Sequence, residues 1–224
     1  EIYTTGSGIY SFLDKAVDIN HFNKGSLLEG NNLHDFDLAS SDTGAVEIGA
    51  GADLTVLNGN IVKDIGRLVP GVHAAVRINE KTDSVLICNN IIYDSLAVNN
   101  DFYAFVVDVT SHENSLIINN TIYNLDNGFI LEDNGVSSPE FGIHNNIIHI
   151  NGDYFLNEGV GDRCQLSHNY YNDDPAPLPG MPYFSETGRQ IGPSEFVDAA
   201  AGNFRPTINN DLILCNGLGL PMAA

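Results

Sequence analysis

The stretch Ile87-Cys88-Asn89-Asn90-Ile91-Ile92-Tyr93 is two short apolar runs joined by an Asn-Asn pair, and it recurs along the chain. Upstream stand Leu28-Glu29-Gly30-Asn31-Asn32-Leu33-His34 and Leu57-Asn58-Gly59-Asn60-Ile61-Val62-Lys63. Downstream come Ile117-Ile118-Asn119-Asn120-Thr121-Ile122-Tyr123, Ile143-His144-Asn145-Asn146-Ile147-Ile148-His149 and the degenerate Leu166-Ser167-His168-Asn169-Tyr170-Tyr171-Asn172. Aligned on Asn31, Asn60, Asn90, Asn120, Asn146 and Asn169, the copies recur at intervals of 29, 30, 30, 26 and 23. Three residues before the aligned Asn, and two after it, every copy is apolar. A second strand-like block follows 15 to 17 residues beyond the Asn in the longer copies, as in Val46-Glu47-Ile48, Val76-Arg77-Ile78 and Val106-Val107-Asp108-Val109. Later copies give Phe129-Ile130-Leu131-Glu132 and Phe155-Leu156-Asn157.

Each copy therefore reads strand, two-residue turn, strand, loop, strand, loop. No copy can close a core alone, and stacking copies at the ~4.8 Å strand spacing buries the apolar columns as one cylinder. The prediction is an all-β parallel β-helix of about six rungs. Asn suits the turn because it tolerates the left-handed backbone region and because stacked Asn side chains can bond from rung to rung. That accounts for part of an unusual composition, in which 27 of 224 residues are Asn and 22 are Gly.

The Asn-Asn-Ile-Ile rung resembles the right-handed parallel β-helix proteins of the pectate-lyase-like superfamily. The tail Pro193-Ser194-Glu195-Phe196-Val197-Asp198-Ala199-Ala200-Ala201-Gly202-Asn203-Phe204-Arg205-Pro206 resembles the close of bacterial secreted β-helix proteins of the choice-of-anchor kind. There a Phe-Val-Asp phrase precedes Gly-Asp-Phe/Tyr-Arg-Leu and then Ser-Pro-Ala-Ile-Asp-Ala-Gly. This chain keeps the first half and has Leu212-Ile213-Leu214-Cys215-Asn216-Gly217 in place of the last phrase. The resemblance covers residues 26 to 220 and implies a right-handed coil and an extracellular or cell-surface bacterial protein. It does not choose an activity, because the superfamily hosts lyases, hydrolases, epimerases, adhesins and structural proteins.

Within this frame, residues 1-25 are an N-terminal cap or entry segment, 26-172 the rungs, and 173-224 a Pro-rich irregular loop and C-terminal cap of the same domain. Apolar residues at Phe12, Leu13, Ala16, Val17 and Ile19 suggest a short capping helix over Ser11 to Asn23. A start at Glu1, with neither an initiator Met nor a basic-apolar leader, is what a processed secreted protein or an excised fragment shows. Nine Lys and Arg against 29 Asp and Glu give a net charge of −20, which disfavours nucleic acid and anionic membranes. No apolar run approaches the length of a membrane span. Cys88, Cys164 and Cys215 are too few and too far apart for a disulfide framework or a metal-ligand pattern.

Three columns carry candidate chemistry. Three positions after the aligned Asn, the outward column reads His34, Lys63, Tyr93, Tyr123, His149 and Asn172. Lys63, Tyr93, Tyr123 and His149 are the base and acid types that a polysaccharide lyase or epimerase acting on a uronate glycan would use. Such an enzyme also needs cations for the substrate carboxylate, and only Arg67 and Arg77 stand near. The second block offers Glu47, Arg77, Asp108 and Glu132, with Asp108 and Glu132 spaced as a hydrolytic carboxylate pair. Asp35, Asp37, Asp108 and Glu132 are weak Ca²⁺ candidates; no cofactor is otherwise required. The residue just after the aligned Asn gives a third column, with Ile61, Ile91, Ile147 and Tyr170 directed outward. Such a stripe is covered by the chain's own loops, at 97-103 or 173-193, or serves as a subunit contact.

The leading expectation is a secreted structural or cell-surface β-helix that self-associates through its rung ends and this stripe. The alternatives are the uronate lyase or epimerase, and a non-catalytic glycan-binding module that uses the tyrosines.

Overall fold

The computed structural model describes residues 17–19, 25–34, 36–38, 43–49, 51–67, 70–79, 82–93, 102–108, 114–132, 141–158, 164–175, 186–193 and 196–207. Three parallel sheets run the length of the molecule. The first holds seven strands, Leu27–Glu29, Val56–Asn58, Leu86–Cys88, Ser115–Ile118, Phe141–His144, Cys164–Ser167 and Glu186–Thr187. The second holds seven more, Asn32–Leu33, Ile61–Lys63, Ile91–Tyr93, Thr121–Leu125, Ile147–Ile150, Tyr170–Tyr171 and Gln190–Ile191. The third has six, Val17–Ile19, Thr43–Ile48, His73–Ile78, Phe102–Asp108, Asn127–Glu132 and Phe155–Glu158. Each strand pairs with its counterpart one repeat away, so the chain is a parallel β-solenoid.

The two apolar columns read from the repeat both face inward. Leu28, Leu57, Ile87, Ile117, Ile143 and Leu166 lie in register and are buried. So are Leu33, Val62, Ile92, Ile122, Ile148 and Tyr171. The third wall adds a stack of rings: Phe105 and Phe129 lie 5.1 Å apart, Phe129 and Phe155 5.2 Å. These stacked rings line the buried side of the third sheet.

The Asn pair divides its work between two positions. The first turn residue has positive φ in every rung: Gly30 (66°), Gly59 (65°), Asn89 (58°), Asn119 (59°), Asn145 (57°), His168 (56°) and Gly188 (71°). Gly and Asn enter the left-handed region most readily, so the corner selects them. The second turn residue points into the protein and forms the ladder. Asn31, Asn60, Asn90, Asn120, Asn146 and Asn169 are all buried. Each gives its backbone N–H and its Nδ2 to one acceptor on the next rung, at 2.9–3.2 Å. From Asn60 to Asn169, Nδ2 also donates to a carbonyl on the rung behind, as Asn90 does to Leu57. A buried amide in this chain of bonds has its donors and its acceptor satisfied.

Two expectations are corrected. The N-terminal helix does not form at residues 17–19, which extend the third sheet as a strand with Val17 opposite Val46 and Ile19 opposite Ile48. Val17 and Ile19 are β-branched, alternate around Asp18, and are buried, which is strand patterning. The rest of the expected helix lies outside the described residues. Parallel pairing also continues beyond residue 172: Glu186–Thr187 and Gln190–Ile191 add a seventh rung inside the segment read as an irregular loop. No described helix is long and apolar enough to cross a membrane.

Candidate functional site

The second sheet carries the candidate column on its outer face. Register places Lys63 beside Tyr93, Tyr93 beside Tyr123, and Tyr123 beside His149, so the four residues occupy consecutive rungs. Lys63 binds Asp64 at 3.0 Å, and this carboxylate raises the ammonium's pKa. Its Nζ also lies 5.8 Å from the centre of the Tyr93 ring. The Tyr123 and His149 rings are 4.6 Å apart. Burial lowers the His149 pKa, so the imidazole is neutral at pH 7, and its buried Nδ1 has no hydrogen-bond partner.

A hairpin from the C-terminal part of the chain lies over this column. Its antiparallel strands Phe196–Asp198 and Asn203–Pro206 are joined by a 3₁₀ turn at Ala199–Ala201. Asp198 caps the turn by accepting from the Ala201 N–H, and Gly202 leaves it with φ 75°. Phe204 packs on Tyr93 at 4.8 Å and on Tyr123 at 5.5 Å. Phe196 meets Tyr123 at 5.6 Å and Phe204 at 5.3 Å. All four contacts are edge-to-face, the geometry that ring quadrupoles favour. A β-carbon added at Gly202 would lie 2.9 Å from the Tyr93 hydroxyl, so the hairpin sits directly on that group. Sequence reading took the tail as a C-terminal cap and missed that Phe196 and Phe204 roof the tyrosines. The two Phe flanking a Gly-containing turn were the available signal.

The second-block column divides in two. Glu47 and Arg77 share a register with Val106 and Ile130. Asp108 instead aligns with Glu132 and Glu158. Alternation in a strand cannot distinguish registers two residues apart, and the longer strand Phe102–Asp108 takes the other choice. Asp108 and Glu132 do occupy neighbouring rungs, as expected. Arg77 Nε donates to Asn79 Oδ1 at 3.2 Å, and Asn79 Nδ2 donates to Glu47 at 2.8 Å. Of the Ca²⁺ candidates, Asp35 lies outside the described residues and Asp37 is in the strand Phe36–Leu38, paired with Ile65–Arg67. Among the described residues, no group of three or more His, Cys, Asp or Glu is placed to hold a metal.

The outward apolar stripe is partly covered. Ile61, Ile91 and Ile147 are half-buried. Tyr170, expected to be exposed, is 1% exposed; its hydroxyl donates to the Pro193 carbonyl at 3.3 Å as the chain leaves the last rung. The turn surface holds one more pair that sequence reading did not single out: Ser167 Oγ and His144 Nδ1 lie 2.9 Å apart. Burial, then His168, lowers the His144 pKa. Asn89 Nδ2 bonds Asn58 Oδ1 in the same rung-to-rung manner at 2.9 Å, which makes the serine–histidine pair another turn-to-turn tie.

Comparison of the chain with family models, with curated proteins and with solved structures finds no match.

Proposed function

We propose that this chain is a secreted structural or cell-surface β-solenoid of the pectate-lyase-like superfamily, of the bacterial choice-of-anchor kind, which associates with copies of itself. The supporting observation is the roof over Tyr93 and Tyr123, in the middle of the candidate column. The two tyrosines that suggest uronate chemistry dock Phe196 and Phe204 instead. A lyase, an epimerase or a glycan-binding module needs that face open to a sugar. Lys63 is held by Asp64 and Arg77 by Asn79, so these two cations are engaged within the chain. A continuous ladder of satisfied amides suits a rigid rod, and the half-buried Ile61, Ile91 and Ile147 supply an apolar stripe for contact with a second copy.

Sedimentation velocity over a concentration series tests the reading. The wild type gains mass with concentration, and Ile91→Lys, with an unchanged circular dichroism spectrum, stays at the monomer mass. Monomers at every wild-type concentration overturn it.

A further inference from the structure

The Asn ladder has a direction, and the seventh rung ends it with the wrong residues for a continuation. From Asn31 to Asn146, each Asn donates to the Oδ1 of an Asn one rung further on. Asn169 donates instead to Glu186 Oε1, from Nδ2 at 2.9 Å and from its backbone N–H at 3.2 Å. The other oxygen, Oε2, accepts from the Tyr171 hydroxyl at 3.0 Å. Glu186 does not occupy the ladder position. It aligns with Leu166, in the inward column that is Leu or Ile in every earlier rung. The ladder position of this rung falls to Arg189, just before Gln190, which pairs with Tyr170. Arg189 turns its guanidinium to Asp174 at 2.6 Å.

This matters because the rung is the last strand of both seven-stranded sheets among the described residues. Its Ile191, in the inward column with Tyr171, is 46% exposed. A strand edge beside an exposed core residue is a template for another chain. In the register that every internal rung obeys, a second copy stacked here would place its Leu28 on Glu186 and its Asn31 on Arg189. The first contact buries a carboxylate under an aliphatic side chain. The second offers an Asn acceptor to a guanidinium already committed to Asp174, where the ladder requires an inward amide.

We infer that Glu186 and Arg189 form a stop at the C-terminal edge, which withholds this end of the solenoid from a second copy and prevents open head-to-tail growth. This rests on the reading of self-association only in saying which surface is withheld. Association that remains uses other faces, so copies do not stack rung on rung through this edge.

The test is E186L/R189N, which gives the last rung the Leu-x-Gly-Asn-x-apolar phrase of residues 57–62. The expected result is particle mass that rises without limit as concentration rises, with filaments whose fibre diffraction shows a ~4.8 Å repeat along the axis. The wild type forms no filaments with that axial repeat. A folded double variant with the wild-type mass distribution overturns the inference, and so do wild-type filaments with the ~4.8 Å axial repeat. If the double variant loses its β-sheet circular dichroism, E186Q decides. Gln keeps an acceptor for Asn169 and adds a donor without charge, so increased association supports the stop and an unchanged mass overturns it. A wild type that is monomeric throughout would reject the self-association reading and leave this inference to stand or fall on the variants.

Discussion

Replacing Asn120 with Ala removes one member from the middle of the ladder. Its Oδ1 accepts from the Asn90 N–H at 2.9 Å and from Asn90 Nδ2 at 3.0 Å. Its Nδ2 donates to Asn146 Oδ1 and Ile87 O at 3.0 Å, with a longer contact to Ile118 O at 3.2 Å. Two hydrogens serve those three acceptors, so four full hydrogen bonds are lost. At about 1 kcal/mol net for each, the cost is about 4 kcal/mol, before any penalty for the buried donors of Asn90 left without a partner. With an m-value of about 2 kcal/mol/M, the urea midpoint should fall by about 2 M. Asn119→Ala, one residue away at φ 59°, is the control. It meets only the left-handed backbone penalty of about 1–2 kcal/mol and the loss of one turn-to-turn bond from Asn145. Asn120→Asp adds a check on the direction of the bonds. It keeps the acceptor but faces Asn146 Oδ1 and Ile87 O with oxygens, so it should match or exceed the Ala loss at pH 7 and recover as the carboxyl protonates. Circular dichroism in urea reads all three. A midpoint shift below about 0.5 M for Asn120→Ala, or equal shifts at 119 and 120, would refute the division of labour between the two turn positions.

Other outcomes follow from the roof and the core. Phe204→Ala removes the ring contacts to Tyr93, Tyr123 and Phe196, worth about 2 kcal/mol, so amide exchange across 196–206 should accelerate about 30-fold while 87–93 is unchanged. Unchanged hairpin protection would contradict the docking. Burial depresses the His149 pKa, whereas the unfolded imidazole takes up its proton near pH ~6.5. The stability supplied by the neutral ring is thus intact above that pH, falls as pH drops below it, and levels off once the folded ring protonates. His149→Phe keeps the ring and should flatten that part of the melting-temperature profile; parallel profiles would rule this out. Burial against the core pushes the Cys164 thiol up to about 12, so iodoacetamide at pH 8 should leave it unlabelled until urea unfolds the rung. Labelling at the rate of a free thiol would show the site to be open.

The repeat was legible because its signal is physical. A left-handed corner admits few residues, a buried amide must find partners, and two inward columns must be apolar in every rung. Those constraints placed Asn31 through Asn169 and brought Lys63, Tyr93, Tyr123 and His149 onto consecutive rungs. What stayed hidden depends on contacts between distant segments. Phe196 lies 73 residues from Tyr123, and Phe204 lies 81 and 111 residues from Tyr123 and Tyr93, and no local pattern joins them. Glu186 broke the apolar column, so the seventh rung had no matching phrase, although the carboxylate replaces the next Asn as the ladder's acceptor. The second block slipped by two residues because alternation alone does not fix that register.

The central claim is that the polar column is a packing surface in a structural solenoid. The most direct measurement is absorbance near 235 nm during incubation with alginate and with pectin, with and without Ca²⁺, for the wild type and for Phe204→Ala. β-Elimination on a uronate would create the absorbing double bond. Flat traces are expected for both proteins, because uncovering the tyrosines frees neither Lys63 from Asp64 nor Arg77 from Asn79 for the substrate carboxylate. A rising trace that Tyr123→Phe abolishes would contradict it.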